Sequence, residues 1–257
     1  MTAPSRPADA PAHATDANAA PELAIVLPVY NEGEAVEAVL RGLAAGVRTS
    51  HELVVVYDFD GDTTVPVIAR LAPEIPGLRG LRNDLGRGVL NAMKAGIAGT
   101  TAPYVLISMA DGSDEPRIVD SMVELARGGA DVVAASRYMR GGRQIGGPPL
   151  KRLMSRTAGL TLHWLAGVPT HDPTNNFKLY RRTFLEATAI ESTAGFELAL
   201  ELTVKATLDG RRVAEVPTTW RDRTAGQSNF KLRKWLPHYL HWYRVGLVGR
   251  FRRSAPA

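Results

Sequence analysis

Apolar residues follow two rhythms along the chain. Leu23-Ala-Ile-Val-Leu-Pro-Val29 is continuously apolar and rich in branched side chains, the pattern of a strand buried on both faces. A polar turn, Asn31-Glu32-Gly33-Glu34, follows, with acids suited to the positive end of a helix dipole. Ala35, Val36, Val39, Leu40 and Leu43 then recur at helical spacing. The cycle repeats. Strands are predicted at Leu53–Tyr57, Leu78–Arg82, Tyr104–Ser108 and Asp131–Ser136, and helices at about Val65–Leu71, Gly88–Ala98 and Arg117–Arg127. Strand–helix alternation at this spacing predicts βαβ units and a mostly parallel sheet. Ligands of such sheets bind beyond the carboxyl ends of the strands. Those ends carry Tyr30-Asn31-Glu32, Asp58, Asp111 and Arg137.

The second half is less regular. Gly141–Pro149 reads as a Gly/Pro-rich loop, too long for a tight turn and a candidate lid or acceptor loop. Helices are predicted at Leu150–Leu165 and Phe196–Leu208. A loop at His171–Tyr180 leads into a strand, another strand covers Arg212–Thr219, and an amphipathic helix rich in aromatics spans Lys231–Phe251. Residues 1–21, rich in Ala and Pro without an apolar core, read as a disordered tail. This gives a catalytic domain over residues 22–230 and a basic aromatic helix over 231–257.

The 257 residues suffice for a substantial core, and the absence of cysteine excludes disulfides and thiolate metal sites. The net charge of +5 is unevenly placed: Arg211 to Arg253 holds eleven Lys/Arg against Glu215 and Asp222, leaving the rest slightly acidic. A basic end suggests an anionic partner. No apolar run reaches the roughly 20 residues of a membrane span, so a cytoplasmic protein is expected.

Several clusters carry possible chemistry. Asp111 and Asp114 stand just after a strand, where a hard divalent cation would relieve their repulsion. An Asx-type turn with Ser113 or Asp114 capping the next helix is the plainer reading, and both can hold. Asp58, Asp60 and Asp62 do not match a calcium-loop pattern. They form either a solvated turn or a strand-end acceptor for a nucleobase N–H. Gly86-Arg87-Gly88 is a simple turn or a phosphate-admitting one. Arg137, Lys151, Arg152 and Arg156 are candidate phosphate ligands, the last three otherwise a solvated helix face. Trp235, Tyr239, Trp242 and Tyr243, mixed with Lys234, Arg244 and Arg250, suit the headgroup layer of an anionic membrane or, alternatively, a helix packed on the domain.

The ordered set Ile25-Val-Leu-Pro-Val-Tyr-Asn-Glu32, Val55-Val-Tyr-Asp58, the Asp111 region, Ala135-Ser-Arg-Tyr138, Asp172-Pro-Thr-Asn-Asn-Phe-Lys-Leu-Tyr-Arg181 and Glu215-Val-Pro-Thr-Thr-Trp-Arg-Asp-Arg223, with Gly226 and Ser228, resembles the family 2 glycosyltransferases of the GT-A fold. The dolichol- and polyprenyl-phosphate mannose and glucose synthases are the most similar kind, over nearly all of the chain from Leu23 to Phe251. The resemblance implies a nucleotide-sugar donor (GDP- or UDP-hexose), a polyprenyl phosphate acceptor, and Mg²⁺ or Mn²⁺. By the same resemblance Pro28, Tyr30, Asn31 and Glu32 would line the nucleotide pocket and Asp58 would contact the base. Asp111, with Asp114 or the backbone at Gly112, would hold the cation. Arg137, Lys151, Arg152, Arg223 and Lys231 would meet donor or acceptor phosphate. It further implies a peripheral protein at the inner face of the cytoplasmic membrane, with a separate anchoring protein as a possible partner. Two departures stand out. The family's Asp-x-Asp is replaced by Ala110-Asp111-Gly112-Ser113-Asp114, and its Lys after Gly-x-Ser by Asn229, with Lys231 close by.

A phosphate monoester, with a second pKa of roughly 6, is largely ionised near neutral pH and needs no general base. The lack of an evident base therefore favours phosphate over a sugar hydroxyl, an alternative for which Asp172 or Glu197 would have to serve. A non-catalytic binding module is the other alternative. Acids at the strand ends argue against nucleic acid as its ligand, because they repel phosphate unless a cation intervenes.

Overall fold

In a computed structural model the described residues are 20–222 and 232–254. Strands β1 (Leu23–Pro28), β2 (His51–Tyr57), β3 (Leu78–Arg82), β4 (Tyr104–Ile107) and β5 (Val132–Ser136) alternate with helices α1 (Ala35–Gly46), α2 (Val65–Leu71), α3 (Val89–Ala98) and α4 (Val119–Arg127). A short 3-10 turn, Pro116–Ile118, leads into α4. The first half thus follows the periodicity of the sequence closely. The second half adds β6 (Arg143–Ile145), α5 (Pro149–Ala166), β7 (Lys178–Arg181), α6 (Arg182–Ala187), α7 (Leu198–Leu208), β8 (Val213–Pro217), β9 (Thr219–Arg221) and α8 (Leu232–Ser254).

Seven strands form one sheet in the order β3-β2-β1-β4-β7-β5-β8, all parallel to their neighbours except β7, which runs antiparallel between β4 and β5. The alternation of side chains along a strand divides the apolar runs between two faces. Leu23, Ile25 and Leu27 pack with Val36 and Leu40 of α1, Ile68 of α2 and Met122 of α4. Val26, Val54 and Val56 pack with Met93 of α3 and Leu198 and Leu202 of α7. The result is a three-layer helix–sheet–helix architecture, which is why these strands contain no polar alternation. A Cβ at Gly96 of α3 would overlap Val26 and press on Val56, so glycine there lets the helix lie close against the sheet.

The antiparallel strand has a consequence for the site. Parallel strands deliver their carboxyl ends to one rim, and a reversed strand delivers its amino end. The loop before β7, residues 171–177, therefore reaches the same rim as the loops after β1, β2, β4 and β5.

The predicted loop at Gly141–Pro149 contains β6, which pairs in parallel with β9 through Arg143↔Thr219, Gln144↔Trp220 and Ile145↔Arg221. Three residues are too short to show periodicity in sequence, and the pairing is non-local. Helices α5, α7 and α8 share a third core of Leu162, Ala166, Leu200, Val204 and Trp242. A Cβ at Gly159 would overlap the His171 carbonyl, so this glycine brings α5 onto the loop before β7. Trp235 and Trp242 are buried, at 7% and 4% exposure. These two tryptophans follow the packed-helix reading of α8; they do not lie on its surface.

Candidate active site

One cleft of about 1540 Å³ opens at the rim. Its walls contain Pro28, Tyr30, Glu32, Asp58, Asp111, Asp114, Arg137, Lys151 and Arg152, which the sequence separates by up to 124 positions. Asn31 and Gly112 lie beside these residues without forming part of the wall. Asn31 adopts a positive φ of 54°, its N–H bonds to Asp62 Oδ2 at 2.9 Å, and its side-chain oxygen accepts from the Thr63 N–H at 3.2 Å. It thus tethers the β1–α1 turn to the β2–α2 turn. Arg223 and Lys231 lie outside the described residues.

The acids after β2 divide three ways. Asp60 forms an exposed pair with Arg82. Asp62 is buried and accepts from the backbone N–H groups of Asn31 and Thr64, an architectural role that neither the solvated-turn nor the base-binding reading foresaw. Asp58 faces the cleft and is oriented by Asn83 Nδ2 at 2.7 Å and the Gly88 N–H at 2.9 Å. The Gly88 amide is therefore turned toward Asp58, which removes it from the phosphate role considered for Gly86-Arg87-Gly88. Beside Asp58, Tyr30 meets Phe59 edge-on at 6.0 Å and the Arg87 guanidinium lies 4.9 Å from the Phe59 ring centre. An aromatic rim with a carboxylate at its back suits a planar base.

The turn after β4 holds the two carboxylates expected to meet a cation. Asp111 Oδ1 accepts from the Ser113 N–H at 3.1 Å, an Asx turn as the plainer reading anticipated. Neither Ser113 nor Asp114 caps the following helical turn; Glu115 occupies that position, with Pro116 first inside it. Among the described residues Asp114 Oδ1 is buried with no hydrogen-bond partner. Burial, then the neighbouring Asp111, push the Asp114 carboxyl up to about 7, opposed by Arg137 and a hydrogen bond from Asn175. Such an oxygen is costly to bury unless something positive or protic meets it.

Arg137, after β5, is nearly buried. Its Nε and Nη2 bond both oxygens of Asp172 at 2.7 and 2.9 Å, and its backbone N–H adds a third bond at 3.1 Å. Burial opposes the charged form of Arg137, but Asp172 outweighs it and the guanidinium stays protonated. Burial likewise raises Asp172, and Arg137 more than reverses it. Lys178 on β7 is wholly buried in the same group and is pushed down to about 7, first by burial, with Asp172 acting in the other direction. His171 Nδ1 meets Glu215 at 2.6 Å at the back of this cluster. Asp172 was weighed in the sequence only as a base, and Lys178 and Glu215 were given no role. Their burial depends on the reversed strand, which no local pattern announces.

Asp111, Asp114, Asp172 and Glu215 therefore gather about Arg137, a full positive charge, and Lys178, whose charge burial weakens. A divalent cation would balance this set, and the unpartnered Asp114 oxygen points to where it would sit. Among the described residues no cluster of three or more His, Asp or Glu forms an all-protein cage. Two carboxylates completed by phosphate oxygens and water are the usual arrangement for such a cation.

The far wall differs in kind. Leu153, Met154, Ala158 and Thr161 of α5 line it together with Leu236, Tyr239, Leu240 and Tyr243 of α8. Tyr243 OH bonds Thr161 Oγ1 at 2.9 Å and Tyr239 OH donates to the Phe196 carbonyl at 2.7 Å. Lys151 and Arg152 stand at the start of α5, between this apolar wall and the charged rim.

A parallel-sheet fold with strand-end acids, an aromatic base rim and an arginine clamp defines a GT-A-type nucleotide-diphosphosugar transferase. The chain belongs to glycosyl transferase family 2, whose family model matches residues 24–188. Among curated proteins it is 32% identical to an undecaprenyl-phosphate mannosyltransferase of Micrococcus luteus, over 79% of this chain and 85% of that one. It is 24% identical to a dolichol-phosphate mannosyltransferase of Pyrococcus furiosus, over 87% of this chain and 63% of that protein, so it spans under two thirds of that relative's length. Among solved structures, glucosyl-3-phosphoglycerate synthase of Mycobacterium tuberculosis, in complex with Mn²⁺, UDP-glucose and phosphoglyceric acid, superposes with a TM-score of 0.63 at 21% identity. That match covers 91% of this chain and 81% of the other.

Proposed function

We propose that this protein is an inverting, cation-dependent glycosyltransferase that moves a hexose from a nucleotide-sugar to a polyprenyl phosphate at a membrane surface. The buried Asp114 Oδ1, without a partner among the described residues and beside Asp111, opposite the clamped Arg137, carries the reading. The relatives' names supply the acceptor class. Asp58, Tyr30 and Glu32 hold the nucleoside, with Pro28 beneath it. Asp111 and Asp114 would hold Mg²⁺ or Mn²⁺, which would supply neutralisation of the charge developing on the departing diphosphate. Arg137, immobile against Asp172, presents fixed positive charge to the phosphates without reorganisation. An ionised acceptor phosphate oxygen then attacks the anomeric carbon as the bond to the nucleoside diphosphate breaks, inverting that centre. Lys151 and Arg152 receive the acceptor phosphate.

The alternative hydroxyl acceptor needs a base, and both acids considered for it are committed elsewhere. Asp172 is locked to Arg137, and Glu197 is fully buried, accepting from the Ala194 and Gly195 N–H groups at 2.9 and 2.7 Å. Both are anchors, so a phosphate that arrives ionised fits better.

Lipid access is supported by α5 and α8. Leu150, Leu153, Trp164 and Leu165 on α5 and Leu240 and Val248 on α8 are exposed, Trp164 at 75%. The sequence placed membrane contact on the last helix alone; both helices serve in this reading, with basic side chains drawing the face to anionic lipid at the cytoplasmic side. No helix among the described residues is long and apolar enough to cross a membrane. The test is a panel of GDP- and UDP-sugars with short polyprenyl phosphates or free sugars, with and without Mg²⁺ or Mn²⁺. Cation-dependent glycolipid formation is expected. Transfer to free sugars with none to the lipid phosphate would overturn the reading.

A further inference from the structure

Lys178 is a buried ammonium to which the chemistry above assigns no task. It sits at the start of the reversed strand β7, with no exposed surface. Its Nζ donates to two backbone carbonyls of one turn, Asp172 at 3.1 Å and Asn175. The side chains of that turn point the other way, into the site. Asp172 grips Arg137 with both oxygens, and Thr174 Oγ1 adds to Asp172 at 3.2 Å. Asn175 lines the cleft with Asp114, whose charged form it favours, and its Nδ2 donates to the Ala135 carbonyl at 3.0 Å. One turn thus holds a reactive cation through its first residue and a candidate cation ligand through its last.

Buried lysine is rare unless its charge is needed where it stands. A neutral residue would satisfy the apolar sheet at lower cost. It would not draw two carbonyl oxygens inward while leaving Asp172 and Asn175 turned outward. A tight turn of this kind cannot form in a dry interior without a donor at its centre, because its carbonyls would be buried unpaired.

We propose that Lys178 is a positioning residue of the transfer site, folding residues 172–175 about its ammonium so that Arg137 and Asp114 address the same donor diphosphate. This rests on the donor site proposed above and goes beyond it by making the two sides of that site one mechanical unit. Lys178 touches neither substrate nor cation. Its removal misplaces both groups at once, which neither Arg137 nor Asp114 substitution does alone.

The experiment compares wild type with Lys178→Met. Thermal stability, kcat, the acceptor KM and the Mn²⁺ concentration for half-maximal nucleoside diphosphate binding are measured on the full chain. Expected are a kcat at least tenfold lower per folded molecule, a Mn²⁺ requirement at least tenfold higher, and an acceptor KM within twofold of wild type. Lys178→Arg, which keeps a charged multiple donor, should recover part of the Mn²⁺ response. A Lys178→Met protein that is folded and keeps the wild-type Mn²⁺ requirement would overturn the proposal. If that variant does not fold, Asn175→Ala is read instead at matched folded fraction, since it removes the turn's side chain beside Asp114 together with its bonds to Ala135 and Phe177 and leaves Lys178 in place. It must raise the Mn²⁺ requirement, and an unchanged value overturns the proposal equally. Because nucleotide binding is scored separately from turnover, absence of lipid glycosylation in wild type would sink the functional reading and leave this inference testable.

Discussion

The two walls of the cleft are built on opposite principles. On the rim of the sheet, charges are buried and paired: Arg137 with Asp172, Asp58 with Asn83 and Gly88, Lys178 with backbone carbonyls. On α5 and α8, large apolar side chains stand in solvent, among them Leu150, Leu153, Trp164 and Leu240. Among the described residues the first wall leaves few buried polar atoms without a partner, the Asp114 Oδ1 and the Ser113 Oγ in the acidic turn among them. The second exposes several large apolar side chains, the face assigned to lipid in the function proposed above. Electrostatic preorganisation lies on one side and apolar exposure on the other, and substitutions on the two walls should separate cleanly.

The largest effect is expected at Asp111. Asp111→Ala removes one of two carboxylates facing the diphosphate, and loss of a preorganised charge contact of this kind lowers kcat by about 10³-fold. Its Asx bond to Ser113 is a local contact, so the melting temperature should stay within a few degrees. Measured turnover within tenfold of wild type would mean that the acidic turn is architectural. Arg137→Lys comes next. A lysine cannot span both Asp172 oxygens and the diphosphate, so about 10²-fold in kcat should be lost. Stability should fall as well, because Asp172 keeps a poorly matched partner in the interior. The corresponding change on the other wall, Arg152→Lys, should leave kcat unaltered.

A pH experiment probes the incomplete part of the first wall. The Asp114 carboxyl lies at about 7 in the folded protein against 3.8 ordinarily, raised chiefly by burial. The folded state therefore holds a proton that the unfolded chain gives up. Without cation, this contribution is fully present below about pH 4 and is lost as pH rises toward about 7. Asp114→Asn should flatten that segment of the stability profile. Cation binds the ionised form, so the Mn²⁺ concentration for half-maximal activity should fall roughly tenfold per unit from pH 5 to pH 7 and level off above. A flat Mn²⁺ requirement across that range would remove Asp114 from the cation site.

The same contrast explains what could be read from the chain. The βαβ half was legible because each strand is a local apolar run ending in a polar turn, as at Leu23–Tyr30 and Leu53–Asp58. The rim residues Tyr30, Asp58, Asp111 and Arg137 were found because strand ends define a rim before any coordinates exist. The Arg137–Asp172–Lys178 cluster was not legible. It depends on β7 running backward between β4 and β5, a non-local choice that Lys178-Leu-Tyr-Arg181 does not encode in its own pattern. Strand β6 was hidden for the same reason, since Arg143-Gln-Ile145 is a strand only when Thr219-Trp-Arg221 lies beside it. The sequence left the aromatics of α8 open between a packed helix and a membrane-facing one because a buried tryptophan and an interfacial one have the same letter. Burial of Trp242 is decided by α5 and α7, Trp235 packs edge-on against Phe196, and Leu240 and Val248 stand exposed on the same helix.

The smallest effects belong to the second wall and should appear only in membrane binding. Burying one exposed large apolar side chain in a lipid interface is worth about 1.5 kcal/mol or more at full burial. Leu153→Ser or Trp164→Ser should therefore weaken sedimentation with vesicles containing anionic lipid by about tenfold each, with the effects additive because the two sites are three turns apart on α5. Arg152→Gln should cost about fivefold, roughly 1 kcal/mol for a charge near the surface, and that difference should vanish in high salt. Turnover with a short, water-soluble polyprenyl phosphate should be unchanged for Leu153→Ser and Trp164→Ser, because neither side chain belongs to the charged rim. Loss of turnover with the soluble acceptor would mean that α5 acts in the chemistry, and the division between the two walls would fail.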